Sequence, residues 1–212
     1  MLKKSVVIRA KRLKPLNLDY KTVVFFTLMI CGIILGISLV KNSDGEFNKA
    51  LTNLIESINS TKYNNSLLSC VFYVFGWLFL LVLLTFFGGL SGVGLPFISL
   101  VNIVFGIICG VFCGIYYVKY GIQGIGFFSL VYLPCYAITA ATLIKCCCES
   151  FKMSLGIFSF LSGINVNQNK NKKILNDYIL NYLILSIPII IASILNVAGF
   201  KVFVGLFDGI II

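Results

Sequence analysis

Histidine is absent from this chain of 212 residues, and acidic residues number only seven. Without histidine, the commonest general base and metal ligand is missing, and no Ser–His or Cys–His nucleophile pair can be built. The seven carboxylates are Asp19, Asp44, Glu46, Glu56, Glu149, Asp177 and Asp208, and none falls in the middle of a long apolar run. Ionisable groups at membrane depth mark proton relays and ion paths. Their lack argues against a proton-coupled transporter and against metal- or glutamate-based intramembrane proteolysis. Charge of either sign is scarce at 11%, against about 25% in a soluble domain. No charged side chain at all occurs between Lys62 and Lys119, far more than the roughly 20 residues that cross a bilayer.

What is present fits that solvent. Hydrophobic residues make up 59% of the chain and mean hydropathy is +1.01, the composition of an integral membrane protein. The net charge of +10 does not point to nucleic acid, because the basic residues cluster at segment ends, where they meet anionic headgroups and set orientation. The eight cysteines include a run at Cys146, Cys147 and Cys148. They lie mostly in apolar segments, where free cysteine acts as a small hydrophobe. No disulfide framework, metal site or cofactor site is expected.

Hydropathy predicts an all-α fold with about five spans. These are Thr22–Val40, about Leu67–Phe87, about Phe97–Val118, about Ile122–Ile144 with Pro134 inside, and about Tyr178–Phe200 with Pro188 inside. Residues 1–21 form a basic N-terminus, and 22–212 a single polytopic domain. That domain includes one loop at 41–66 and another at 145–177. The glycines and proline of 88–96 predict a tight turn or a re-entrant corner. With the N-terminus cytoplasmic, twelve Lys and Arg lie inside and five outside, so the C-terminus and the 41–66 loop are extracytoplasmic. The expected location is a bacterial cell membrane.

Within 41–66, Ser43 and Glu46 match a capping box, and Phe47, Leu51, Leu54, Ile55 and Ile58 follow at helical spacing. One amphipathic helix is expected there, resting on the membrane surface or docking a partner through that stripe. Asn59-Ser60-Thr61 and Asn64-Asn65-Ser66 match glycosylation sequons, which arise by chance in an Asn-rich chain. Gly106, Gly110 and Gly114 recur every fourth residue, as do Gly32 and Gly36. In lipid such stripes let helix backbones approach closely. They serve an internal bundle contact or a face for a second copy or a partner. Asn102 and Gln123 are polar groups in apolar surroundings, either as interhelical glue or as the lining of a path.

The stretch "GLPFISLVNIVFGIICGVFCGIYYVKYGIQGIGFFSLVYLP" (94–134) resembles the stage II sporulation protein M family. The matching positions are Gly94, Leu95, Pro96, Gly106, Gly110, Gly114, Gly121, Gly124, Gly126, Leu133 and Pro134. The resemblance extends more loosely over the first span and the loop after it, and is least after 145. It implies a polytopic septal-membrane protein needed for forespore engulfment. Such a protein is not itself a hydrolase. It anchors stage II sporulation protein D-like and P-like proteins that remodel peptidoglycan. The expectation is therefore a non-enzymatic scaffold for peptidoglycan remodelling, surrounded by membrane lipids, with a homo-oligomer as one option. The alternative is a small transporter, flippase or channel subunit. That reading rests on the breaks near Pro96 and Pro134, since discontinuous helices build transport sites, with Asn102 and Gln123 as lining.

Overall fold

The computed structural model describes residues 20–43, 45–92, 94–161 and 168–204, with the side chains of 160–174 excepted. The basic segment before Tyr20, the polar stretch 162–167 and the tail from 205 therefore lie outside the described residues. The described elements are helices: α1 (Tyr20–Asn42), α2 (Gly45–Asn64), α3 (Leu67–Leu90), α4 (Leu95–Val131), α5 (Leu133–Leu161) and α6 (Gln168–Phe203). Among the described residues, four helical segments are long and apolar enough to cross a membrane: α1, α3, α4 and Leu175–Phe203 of α6. The chain is a multi-pass membrane protein. α5 is not among the four, because Lys145 and Glu149 dilute its apolar run.

The first packing decision is made by glycine. Gly32 and Gly36 on α1 lie directly on Gly106 and Gly110 of α4, and Gly114 lies on Val40. The sequence numbers rise together along both helices, so α1 and α4 run parallel. A Cβ on Gly32 would stand 2.5 Å from the Ile103 carbonyl oxygen and 3.1 Å from Gly106 Cα. The two backbones touch, and dispersion over that flat seam replaces the hydrophobic force that lipid does not supply. Asn102, fully buried on α4, adds a hydrogen bond from Nδ2 to the Phe25 carbonyl of α1 at 2.6 Å.

Parallel neighbours need a return between them, and α3 supplies it. α3 and α4 join through residues 91–94 alone. The Ser91 N–H bonds the Gly88 carbonyl and the Gly94 N–H bonds the Ser91 carbonyl, each at 3.2 Å. This is a tight turn with no re-entrant segment. Pro96 sits in the first turn of α4, where a missing N–H breaks no bond.

The stretch expected as one span over 122–144 is divided. Gly121 takes φ 61° and ψ −138°, a backbone state that favours glycine. Beyond it 122–131 folds back on α4, bringing Gly124 against the Tyr116 carbonyl. Ten residues of helix reach only about 15 Å, so this arm does not cross a bilayer. The descent belongs to α5, in which Pro134 is a first-turn residue and no interruption. α5 runs antiparallel to α4, with Tyr136 beside Phe105 and Phe112 and the Cys147 thiol on the Ile98 carbonyl. Nor does a loop begin at 145, because α5 continues to Leu161. Lys145 is exposed while Cys146 and Cys147 are fully buried. A charge on the outer face of a helix interrupts hydropathy without interrupting its backbone hydrogen bonds.

At the end of the bundle near the 91–94 turn, α3, α5 and α6 are tied by hydroxyls. Ser150 donates to the Thr85 carbonyl at 2.8 Å, Tyr178 to the Phe86 carbonyl at 2.9 Å, and Tyr182 to the Cys146 carbonyl at 3.1 Å. Phe86 stacks on Tyr178 with ring centroids 5.1 Å apart.

Candidate functional site

The opposite end of the bundle is covered by α2. It leaves α1 through a sharp elbow held by Asn48, whose Nδ2 donates to the Val40 carbonyl at 3.1 Å. The Ser43 hydroxyl lies 3.2 Å from that carbonyl and 2.8 Å from Asn48 Oδ1. Ser43 thus serves the elbow. An ion pair between Lys119 and Glu56 fastens α2 to the end of the ascending part of α4.

One face of α2 points into the bundle. Ile55, Asn59 and Lys62 are buried, at the i, i+4, i+7 spacing of a single helical face. Ile55 joins a core cluster with Val40, Ile115, Phe127 and Phe200, and Leu51 packs partly against it. The sequence-predicted stripe is thereby split. Ile55 is inside the protein, Leu51 and Ile58 are half-buried, and Phe47 and Leu54 are 50% and 61% exposed. Tyr63, not part of the stripe, is 63% exposed.

Below that face lies a ring of polar groups. Asn59 Nδ2 donates to the Tyr116 hydroxyl at 2.8 Å, Tyr116 to Tyr132 at 3.4 Å, and Tyr132 to Asn59 Oδ1 at 2.7 Å. The three side chains close a circuit that satisfies the hydroxyl of Tyr116 on α4 and that of Tyr132 at the junction of α4 and α5. Next to it is Lys62, only 4% exposed. Its Nζ donates to Asn196 Oδ1 of α6 at 2.6 Å. It stands 4.6 Å from the centre of the Tyr132 ring and 5.6 Å from that of Phe200. No carboxylate among the described residues lies within ion-pair distance of it. Burial pushes the Lys62 amine down to about 8 from its ordinary 10.5, against the opposing pull of the Cys135 and Cys70 thiols.

Lys62, Tyr132 and Asn196 form the polar end of a cavity of about 450 Å³. Its roof is α2, through Leu54 and Ile58. One wall is Tyr73 and Trp77 of α3, the other Ile108 and Val111 of α4. Tyr73 and Trp77 are largely exposed. The arrangement is a largely apolar slot with one cationic group among its lining residues.

The remaining predicted residues are distributed through the scaffold. Gly106, Gly110 and Gly114 form the α1–α4 seam, Gly94 and Pro96 the α3–α4 turn, and Gly121 and Gly124 the fold-back. Leu95 opens α4, and Leu133 and Pro134 open α5. Gly126 is half-buried on the returning arm. Asn102 and Gln123 do not share a path, since Asn102 is sealed between α1 and α4 while Gln123 is exposed. Sequence reasoning missed Lys62, Asn59, Tyr116, Tyr132 and Asn196. The available signal was the spacing of Lys62 from Ile55 and Ile58, which continues the apolar face.

A family model described as Stage II sporulation protein M matches residues 23–201. No curated protein and no solved structure matches the chain.

Proposed function

The chain belongs to the stage II sporulation protein M family, and from that premise we propose a non-enzymatic scaffold that holds a peptidoglycan-remodelling complex at the membrane. The proposed partners are the D-like and P-like proteins of stage II sporulation, and the proposed setting is septal wall degradation during engulfment. The observation that carries the reading is a family match over most of a multi-pass helical bundle. One helix, α2, crosses one end of that bundle and leaves Phe47 and Tyr63 exposed. Those two are the proposed contact face, while Leu51, Ile55 and Ile58 hold α2 down and Leu54 lines the cavity.

The proposed topology has five passes, with α5 as the fourth, the N-terminus cytoplasmic and α2 extracytoplasmic. It is supported by the Lys and Arg distribution and by the alternation of α1, α3, α4, α5 and α6 along the bundle. The transport alternative gains no support, because the residues expected to line its path lie apart.

Capture tests the scaffold. The N-terminus is tagged, sporulating cells are crosslinked intact, and co-purifying proteins are identified. Recovery of a wall hydrolase or amidase, lost in Phe47→Asp/Tyr63→Asp with the bundle still folded, is the expected result. Undiminished recovery by that double variant overturns the contact face, and recovery of no wall enzyme overturns the scaffold.

A further inference from the structure

We propose that the cavity beneath α2 holds one anionic membrane lipid, its phosphate on the Lys62 ammonium and one hydrocarbon chain along Trp77, Ile108 and Val111. Three observations converge on this ligand. The first is the lysine. An ammonium has three donors, and Lys62 places one on Asn196 and two aromatic rings around the rest. A buried cation with no carboxylate beside it is costly unless something completes it. An anionic oxygen at the cavity head does so.

The second is the wall. Below Lys62 the lining is almost wholly apolar. A free phosphate or a soluble metabolite gains nothing from Trp77, Ile108 and Val111, whereas an acyl or isoprenoid chain does. The volume, about 450 Å³, lies within the roughly 300–1,000 Å³ of small-molecule sites.

The third is access. The walls belong to α3 and α4, both membrane-crossing by length and composition. The wall residues Tyr73 and Trp77 are largely exposed, as are Leu100 and Val104 of α4. The slot thus faces hydrocarbon, and α2 covers it from the watery side. A lipid enters laterally with its headgroup at the level of α2. An acidic segment of a soluble partner would have to displace that cover.

The proposal is independent of the scaffold reading, and the variants separate the two. The full chain is purified in mild detergent, delipidated, and offered phosphatidylglycerol or phosphatidylcholine of matched chains. Bound lipid is counted by native mass spectrometry. Wild type is expected to retain one phosphatidylglycerol with a preference of roughly tenfold or more, the scale of one charge-assisted hydrogen bond. Lys62→Met is expected to remove the preference. Ile108→Trp fills the slot with Lys62 intact and is expected to remove binding of both lipids. It also decides the matter if Lys62→Met fails to fold. Glycerol phosphate, a headgroup without a chain, is expected not to compete. Equal binding of both lipids by wild type overturns the proposal. So does a preference retained in Lys62→Met, full binding in Ile108→Trp, or displacement by glycerol phosphate at equal concentration. Phe47→Asp/Tyr63→Asp is expected to keep its lipid while losing the wall enzyme.

Discussion

Replacing Gly36 or Gly110 with alanine drives a methyl group into the backbone of the facing helix, where no side chain can move aside. The seam is continuous. At Gly32 the added Cβ would stand 2.5 Å from the Ile103 oxygen, against about 3.3–3.6 Å for an ordinary carbon–oxygen contact. The helices must part by roughly 1 Å, and the positions of Gly36 and Gly110 are tighter still. Overpacking of this kind costs about 1–3 kcal/mol, and a backbone obstacle argues for the upper end. Better helix propensity returns about 1 kcal/mol, leaving a net loss of roughly 2 kcal/mol. Gly76 on α3 is the control, since a Cβ there meets nothing within 4 Å and its alanine variant is neutral or slightly stabilised. Thermal unfolding in detergent should therefore separate Gly110→Ala from Gly76→Ala by roughly 5–10 °C, at about 2–4 °C per kcal/mol for a chain of this size. Gly36→Ala/Gly110→Ala should lose less than the sum of the single variants, because the first methyl has already opened the crossing. Melting of Gly110→Ala together with Gly76→Ala would refute the backbone contact between α1 and α4.

Lys62 makes stability depend on pH. Its amine is at about 8 in the fold and 10.5 unfolded. Between those values the unfolded chain binds the extra proton, so stability rises with pH by up to about 3 kcal/mol. Equilibrium unfolding of wild type and Lys62→Met from pH 7 to 10.5 should differ by that rise, and identical slopes would remove it. Asn59→Ala leaves the Tyr116 and Tyr132 hydroxyls without their shared partner and should cost about 2–3 kcal/mol in the same assay. Asn102→Leu should change stability by less than about 1 kcal/mol, because Asn102 Oδ1 is buried with no hydrogen-bond partner. A large loss would show that the amide does more than join α4 to α1. Gly121→Ala, forced into a left-handed backbone with open space around it, should lose about 1–2 kcal/mol from backbone strain alone.

Hydropathy and period are local properties, and what depended on them was legible. The long apolar segments of α1, α3, α4 and α6, the helix after α1 and the glycine stripes of α1 and α4 follow from residue type and spacing. So does the turn at 91–94, because glycines and a proline cluster around it. The span expected over 122–144 does not, because that stretch is divided between α4 and α5. Beyond that, one helical face can meet lipid, water or protein with the same sequence. Which one it meets depends on neighbours far along the chain. Lys62 illustrates the limit: beside a polar loop it reads as a solvated charge, yet Tyr132 and Asn196, distant in sequence, enclose it. Cys146 and Cys147 sit beside Lys145 and Glu149 and read as the start of a loop, but α5 continues and turns its charges outward. The fold-back at Gly121 was invisible because glycine permits a positive φ without requiring one. The sequence by itself determined that this chain lives in a membrane as a glycine-packed helical bundle. Only the tertiary structure decided that the two glycine stripes meet in parallel and that a lysine is drawn beneath α2, because packing between distant segments settles the environment of every face.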